Sequence, residues 1–454
     1  MRKNNPFLTG TLILTLAGFL SRLIGFFYRA FLSQTFGEEG MGIYQLLAPV
    51  MALSFSLTAA GIQTAISKFT ASETTTRDYR TSLRTLCAGF LLSMPLSIAC
   101  TWILYRYSDF IAVNFLLESR SASLIRIFAL SIPFCSVHSL INGYFYGIKR
   151  AGIPALTQIL EQIARVGSVF VICGYLQSHG QVPEIGCAVI GLTIGECFSM
   201  FISLVAVYLR FYRLTACPIS SSLLAKAVSV RKMALRIFML STPLVASRLA
   251  VNMLQSIEAV SIPSCLVKHG FSHAQALSVY GVLTGMALPL IMFPSALINS
   301  ACVLLLPVIS EADESGNGKT IRNVVRRSVL YCTLFGTLCT IGFLLCGEYA
   351  GMLLYKSKMA GSFILTLSFI CPLMYLSGAL SSILHGLGKT GVTFFFNIAA
   401  LSARLLFVYF LIPAIGIQGY LYGLLFSQFL VTLLNLLAVR HYIGKYRQNP
   451  LTGI

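Results

Sequence analysis

Apolar runs of roughly twenty residues recur along the whole sequence, each long enough as a helix to cross the hydrocarbon of a bilayer. Few folds can hold such runs. They are continuous rather than alternating, which argues against a transmembrane β-barrel. Of 454 residues 56% are apolar and only 10% charged, with mean hydropathy +0.81, values foreign to a soluble domain. The spacing predicts an all-α polytopic membrane protein of twelve transmembrane helices. They fall at 8–33, 41–67, 83–105, 122–146, 153–176, 185–209, 236–262, 278–309, 327–349, 361–384, 391–413 and 418–439. The first run is too long for a signal-peptide core and is followed by Phe36-Gly37-Glu38-Glu39, not by a small-residue cleavage site, so a retained helix is expected.

The long polar interruption Arg210–Arg236, containing Cys217-Pro218-Ile219-Ser220-Ser221-Ser222, divides the chain into 1–220 and 221–454, six helices each. Loop charges set the orientation. Counted from a cytoplasmic N-terminus, twenty-two Lys and Arg fall on the cytoplasmic side and six on the other, which places both termini in the cytoplasm. Topology and attraction to anionic membrane lipid thus account for most of the net charge of +19; no basic soluble domain exists to hold nucleic acid. Thirteen cysteines are scattered without a CxxC pair, so neither a disulfide framework nor a metal site is expected. No Ser/His/Asp set, Walker loop or HExxH is present, the dispersed His138 and His385 are read as packed residues, and no enzyme or cofactor is expected.

Five basic residues remain, all inside apolar runs: Arg22, Arg29, Arg165, Arg248 and Arg404. A guanidinium at the centre of a bilayer costs about 3 kcal/mol or more, so each is expected to face protein or water. The halves repeat weakly. Gly147-Ile148-Lys149-Arg150-Ala151-Gly152-Ile153 matches Gly386-Leu387-Gly388-Lys389-Thr390-Gly391-Val392, and Arg165 then falls on Arg404 without a gap. Ser21-Arg22-Leu23 matches Ser247-Arg248-Leu249, and, after an insertion, Gln63-Thr64-Ala65 matches Asn299-Ser300-Ala301. Even helix numbers make the repeat parallel. Arg22, Arg165, Arg248 and Arg404 lie about 18 Å from the cytoplasmic end, one tier near mid-bilayer. Glu161, Glu196 and Glu258 are the intramembrane acids, too few to cancel five cations, and the surplus suggests a cavity for an anion. Gln63 and Asn299 are assigned to the same site. Against this, Arg165 with Glu161 fits an internal ion pair, and Arg29 fits a side chain snorkelling outward. Glu258, Glu161 and Asn397 are the candidates for coupling to H+ or Na+, with the membrane potential acting on any net charge moved. Pro49, Pro243 and Pro294 are candidate bends.

Ser21-Arg22-Leu23-Ile24-Gly25-Phe26-Phe27-Tyr28-Arg29, then Gly40-Met41-Gly42-Ile43-Tyr44-Gln45, resembles the stage V sporulation protein B group. So do Gly143-Tyr144-Phe145-Tyr146-Gly147, Pro154-Ala155-Leu156-Thr157-Gln158-Ile159-Leu160-Glu161-Gln162-Ile163-Ala164-Arg165, Leu306-Pro307-Val308-Ile309-Ser310-Glu311 and Leu384-His385-Gly386-Leu387-Gly388-Lys389. The group falls in the superfamily of multidrug exporters, polysaccharide flippases and lipid II flippases. The resemblance implies two pseudo-symmetric six-helix lobes in a V and alternating access. It also implies transfer of an undecaprenyl-pyrophosphate-linked saccharide in the bacterial cytoplasmic membrane, with cell-wall synthesis enzymes as partners. Arginines of the kind seen at Arg22 and Arg29 are expected to engage pyrophosphate in lipid II flippases, although Arg29 is displaced by one position. Fourteen helices, with a groove for the polyprenyl tail, are expected there; twelve runs are seen here, so the tail is expected to leave between the lobes. The alternatives are a multidrug or organic-cation exporter of the same fold, and a non-transporting cell-wall scaffold.

Overall fold

The structure, a computed structural model, describes residues 6–75, 79–212 and 223–448. The polar stretch 213–222, where the sequence places the border between halves, lies outside the described residues, as do the side chains of Ser300 and Ala301. In chain order the first helices are α1 (Pro6–Phe55), α2 (Gly61–Thr75), α3 (Tyr79–Arg106), α4 (Ser108–Phe110), α5 (Ser121–Ala129), α6 (Ser131–Gly147) and α7 (Gly152–Ser178). Then come α8 (Gly186–Tyr212), α9 (Leu223–His269), α10 (His273–Gly281), α11 (Leu288–Met292) and α12 (Ser295–Glu314). The chain closes with α13 (Gly318–Tyr355), α14 (Lys358–Leu367), α15 (Ile370–Gly386), α16 (Thr390–Ile415) and α17 (Ile417–Gln448). π-helical turns occupy Ser56–Ala60, Ile111–Phe115 and Val282–Ala287, and no strand occurs among the described residues.

Nine helical stretches are long and apolar enough to cross a membrane, and two bent pairs, α5 with α6 and α14 with α15, bring the number to eleven among the described residues. The first stretch, Leu14–Glu73, has 60 residues. At 1.5 Å per residue that is about 90 Å of helix, far beyond one bilayer of roughly 30 Å. Gly37 breaks it with φ 71 and ψ −177, in the left-handed half of backbone space that glycine enters without strain. Two crossings meet there, and the described residues then hold the twelve that the apolar runs predict.

The halves share a backbone far more closely than they share residues. Between the numbers of Arg165 and Arg404 lies an offset of 239, and it holds for features no residue match would suggest. Leu117 and Lys356 both adopt φ near +54 (55 and 52), and Lys149 (φ 59) answers Gly388 (φ 71). The α5–α6 pair bends by 43° at Leu130 and the α14–α15 pair by 53° at Phe369. These bends have an identifiable cause. Pro133 and Pro372 stand three residues later and have no N–H to give the carbonyl four residues back, which is Ala129 in one half and Ser368 in the other. A threonine from the neighbouring helix takes over in each case. Thr101 Oγ1 donates to Ala129 O at 3.0 Å, and Thr340 Oγ1 donates to Ser368 O at 2.8 Å. The prolines thus cause bends that lie three residues before them. Pro294, singled out from the sequence, stands at the break between α11 and α12 rather than inside a helix.

The same offset corrects one alignment. A Cβ on Gly147 would meet Thr70 Cβ at 2.6 Å and Ser67 O at 2.8 Å; on Gly386 it would meet Ile309 Cβ at 2.8 Å and Leu306 O at 3.0 Å. Ser67 thus corresponds to Leu306 and Gln63 to Cys302, so Gln63 and Asn299 are not repeat mates. Similar polar letters across an insertion misled the match by about one helical turn; close backbone packing of small residues sets the register.

By internal packing the chain forms two compact units: Met1–Tyr28 with Ile43–Ser256, and Arg29–Gly42 with Ile257–Ile454. The first has a core of Ile62, Ile66, Leu86, Leu140, Ile141, Tyr144, Phe145 and Ile237. The second packs Ile309, Ile321, Leu380, Ile383, Leu384 and Val439. α9 enters the first unit through its N-terminal part: Asn252 Nδ2 donates to Ala52 O at 3.2 Å and Ser56 Oγ at 2.7 Å, and a Cβ on Gly61 would stand 2.4 Å from Val245 Cγ2.

Candidate functional site: buried charge in each unit

In the first unit, Arg165 lies near the middle of α7. It approaches α8 closely because glycine lines the contact: a Cβ on Gly195 would sit 3.1 Å from both Arg165 Cβ and Glu161 O. Arg165 Nη2 donates to Glu161 Oε1 at 2.5 Å, one turn back on its own helix, and lies 3.5 Å from Glu196 Oε1 on α8. The second oxygen of Glu196 faces His138 Nδ1 at 3.2 Å. Glu161, Glu196, His138, Cys135, Gln63 and Asn142 contribute to the lining of a cavity of about 370 Å³ within this unit. Two carboxylates there face one guanidinium.

In the second unit, Arg404 on α16 is matched from α9. Its Nη2 donates to Glu258 Oε2 at 2.6 Å while Nε lies 2.5 Å from Oε1. Tyr420 on α17 donates to Glu258 Oε1 at 2.7 Å. Glu258 is 4% exposed, and the guanidinium plus the phenol, one on each oxygen, leaves little of it to offer another ligand. The α16–α17 contact again uses glycine, with a Cβ on Gly423 only 2.7 Å from Phe407 Cβ.

Arg22 and Arg248 stand apart from these pairs. Both belong to the first unit, lie near the midpoints of their spans, are exposed at its surface, and make no ion pair or hydrogen bond among the described residues. Arg29 belongs to the second unit, is exposed, and lies within electrostatic reach of Tyr355. Asn299 is exposed on α12. Asn397 Nδ2 donates to Thr393 O of its own helix at 2.9 Å, and no described contact joins it to Glu258. The structure thus brings Arg165 together with Glu161, and Arg404 with Glu258, while Arg22, Arg29, Arg248, Asn299 and Asn397 join neither group. Sequence reasoning missed the convergence of His138 and Cys135 on Glu196. Its signal was the Cys135-x-x-His138 spacing, which puts both side chains on one helical face.

Solved structures share this fold. An inward-facing multidrug resistance MATE family transporter of the MOP superfamily superposes with a TM-score of 0.75 at 15% identity, over 98% of this chain and 99% of the other. A MOP superfamily transporter from Pyrococcus furiosus, described as having a binding pocket of reverse polarity, gives 0.68 at 15% identity over 98% and 97%. Its apolar spans and this fold make it a multi-pass protein of the cytoplasmic membrane with the fold of those transporters. More particularly, the chain belongs to the polysaccharide biosynthesis protein family, whose profile matches residues 7–313. It is similar to the stage V sporulation protein B of Bacillus subtilis, 26% identical over 94% of this chain and 82% of that one. It is also similar to the lipid II flippase MurJ of the same organism, 26% identical over 72% of this chain and 62% of that one.

Proposed function

We propose that the protein flips an undecaprenyl-pyrophosphate-linked saccharide, a peptidoglycan precursor or polysaccharide unit, with Arg22 and Arg248 as the principal anion contacts. One contrast carries this reading. Of four arginines at span midpoints, two are matched by carboxylates, whereas Arg22 and Arg248 are exposed and unmatched. An unmatched guanidinium at that depth is costly unless something anionic visits it. Its planar fork suits phosphate oxygens and stays charged at any working pH. Similarity to a lipid II flippase supports a lipid-linked cargo. In this reading Gln63, of the same unit, is a further headgroup contact, Arg29 and Asn299 of the second unit are candidates for the same role, and Arg165 and Arg404 each brace the helices of their own unit. The polyprenyl tail stays in lipid, and cell-wall synthesis enzymes supply or consume the cargo. Glu161, beside solvent in the first-unit cavity, is the coupling candidate for H+ or Na+, ahead of the enclosed Glu258 and the self-bonded Asn397.

The test is a proteoliposome flipping assay with a fluorescent undecaprenyl-pyrophosphate sugar. R22Q and R248Q should each slow transfer at least tenfold, and the double variant should fall to the protein-free rate. Wild-type transfer by the double variant rejects the reading. A second reading, export of organic cations, is favoured by the surplus carboxylate in the first-unit cavity. It predicts cation efflux that survives R22Q and R248Q and is lost in E161Q.

A further inference from the structure

We propose that Cys135, His138 and Glu196 form a binding site for a divalent transition-metal ion of borderline softness, with zinc as the type ion, inside the first-unit cavity. One ligand atom from each residue lies within 4.8 Å of the other two. In a tetrahedral zinc site, bonds of about 2.0–2.3 Å set ligand atoms roughly 3.3–3.8 Å apart, so side-chain adjustments of about an ångström close the cluster. His138 Nδ1 and Glu196 Oε2 already stand close to that spacing, at 3.2 Å.

Two further observations point to a ligand. His138 is 9% exposed, and its Nδ1 and Glu196 Oε2, both buried, have only each other, 3.2 Å apart but out of line for a hydrogen bond. Such atoms are costly to leave unsatisfied, and a metal ion would take up both lone pairs. All three residues line the cavity of about 370 Å³, which has room for a water at the fourth coordination position. Charge agrees. Glu161 and Glu196 against Arg165 leave one negative charge, and loss of the Cys135 thiol proton on coordination makes two, which a divalent ion balances. The donor set decides the class. Thiolate and imidazole are poor ligands for sodium, magnesium or calcium, and suit zinc and its neighbours. Arg165, 3.5 Å from Glu196 Oε1, leaves the other carboxylate oxygen for the metal and orients it. The ion would tie α6 to α8 within one unit.

The proposal is independent of the cargo, and its test is binding, not transport. Purified full-length protein is titrated with cobalt(II) alone. One ion per chain should bind, with a thiolate-to-cobalt charge-transfer band that zinc abolishes. C135S should lose the band, H138A and E196Q should weaken binding at least tenfold, and C346S, at an exposed cysteine of the other unit, should leave it unchanged. Should C135S not fold, the wild-type chain still decides. Zinc should slow alkylation of Cys135, mapped by peptide mass spectrometry, at least tenfold without protecting Cys197. Absence of the thiolate band in wild type, persistence of the band in C135S, or equal alkylation of Cys135 with and without zinc overturns the proposal.

Discussion

Removing Glu258 leaves a guanidinium buried with only a phenol beside it, so the cost of E258Q is stability. Breaking one side of a buried pair typically costs about 3–5 kcal/mol, more than the pair itself contributes. E258Q should therefore lower the melting temperature in detergent markedly, and E258Q/R404Q should recover part of the loss; a double variant less stable than E258Q would refute the pairing. The arginines were legible in the sequence because charge stands out in an apolar run. Their satisfaction was not. With Arg22 matched to Arg248, the counterpart of Glu258 is Leu32, fully buried, so the two halves repeat the cation without repeating its acid. Arg404 and Glu258 are 146 residues apart, a separation at which no local pattern reports contact. The triad of Cys135, His138 and Glu196 escaped for the same reason, since its third member comes from another helix.

At the scale of elements, run length was legible because a bilayer fixes it, and the twelve crossings follow. The bends in α5–α6 and α14–α15 were not, since neither proline stands at the bend itself; each acts on a carbonyl four residues back. T101V and T340V keep shape and remove the donor that repairs that carbonyl. A buried acceptor left unpaired costs about 1–3 kcal/mol, so each variant should lower the melting temperature by a few degrees and the pair should add. Valine at both sites without loss of stability would remove the repair role. The register of α2 against α12 was likewise hidden, because three residues of insertion change nothing in hydropathy. Glycine contacts at Gly147 and Gly386 reveal it.

For the whole molecule, orientation rests on twenty-two loop cations against six. A membrane-impermeant maleimide applied to intact cells should label K268C and reach K149C only after permeabilisation. The reverse pattern would invert the protein and every statement about which face the headgroup enters. The first unit also has a consequence for handling the gene. Asn252 and Val245 lie beyond the polar stretch in sequence, yet they cover Ala52, Ser56 and Gly61. A fragment ending before residue 213 would expose a bare seam along α1 and α2, and in its counterpart the N-terminal part of α9 would lose the surface it lies against. Splitting the protein into two expressible pieces therefore requires a junction other than its most polar one.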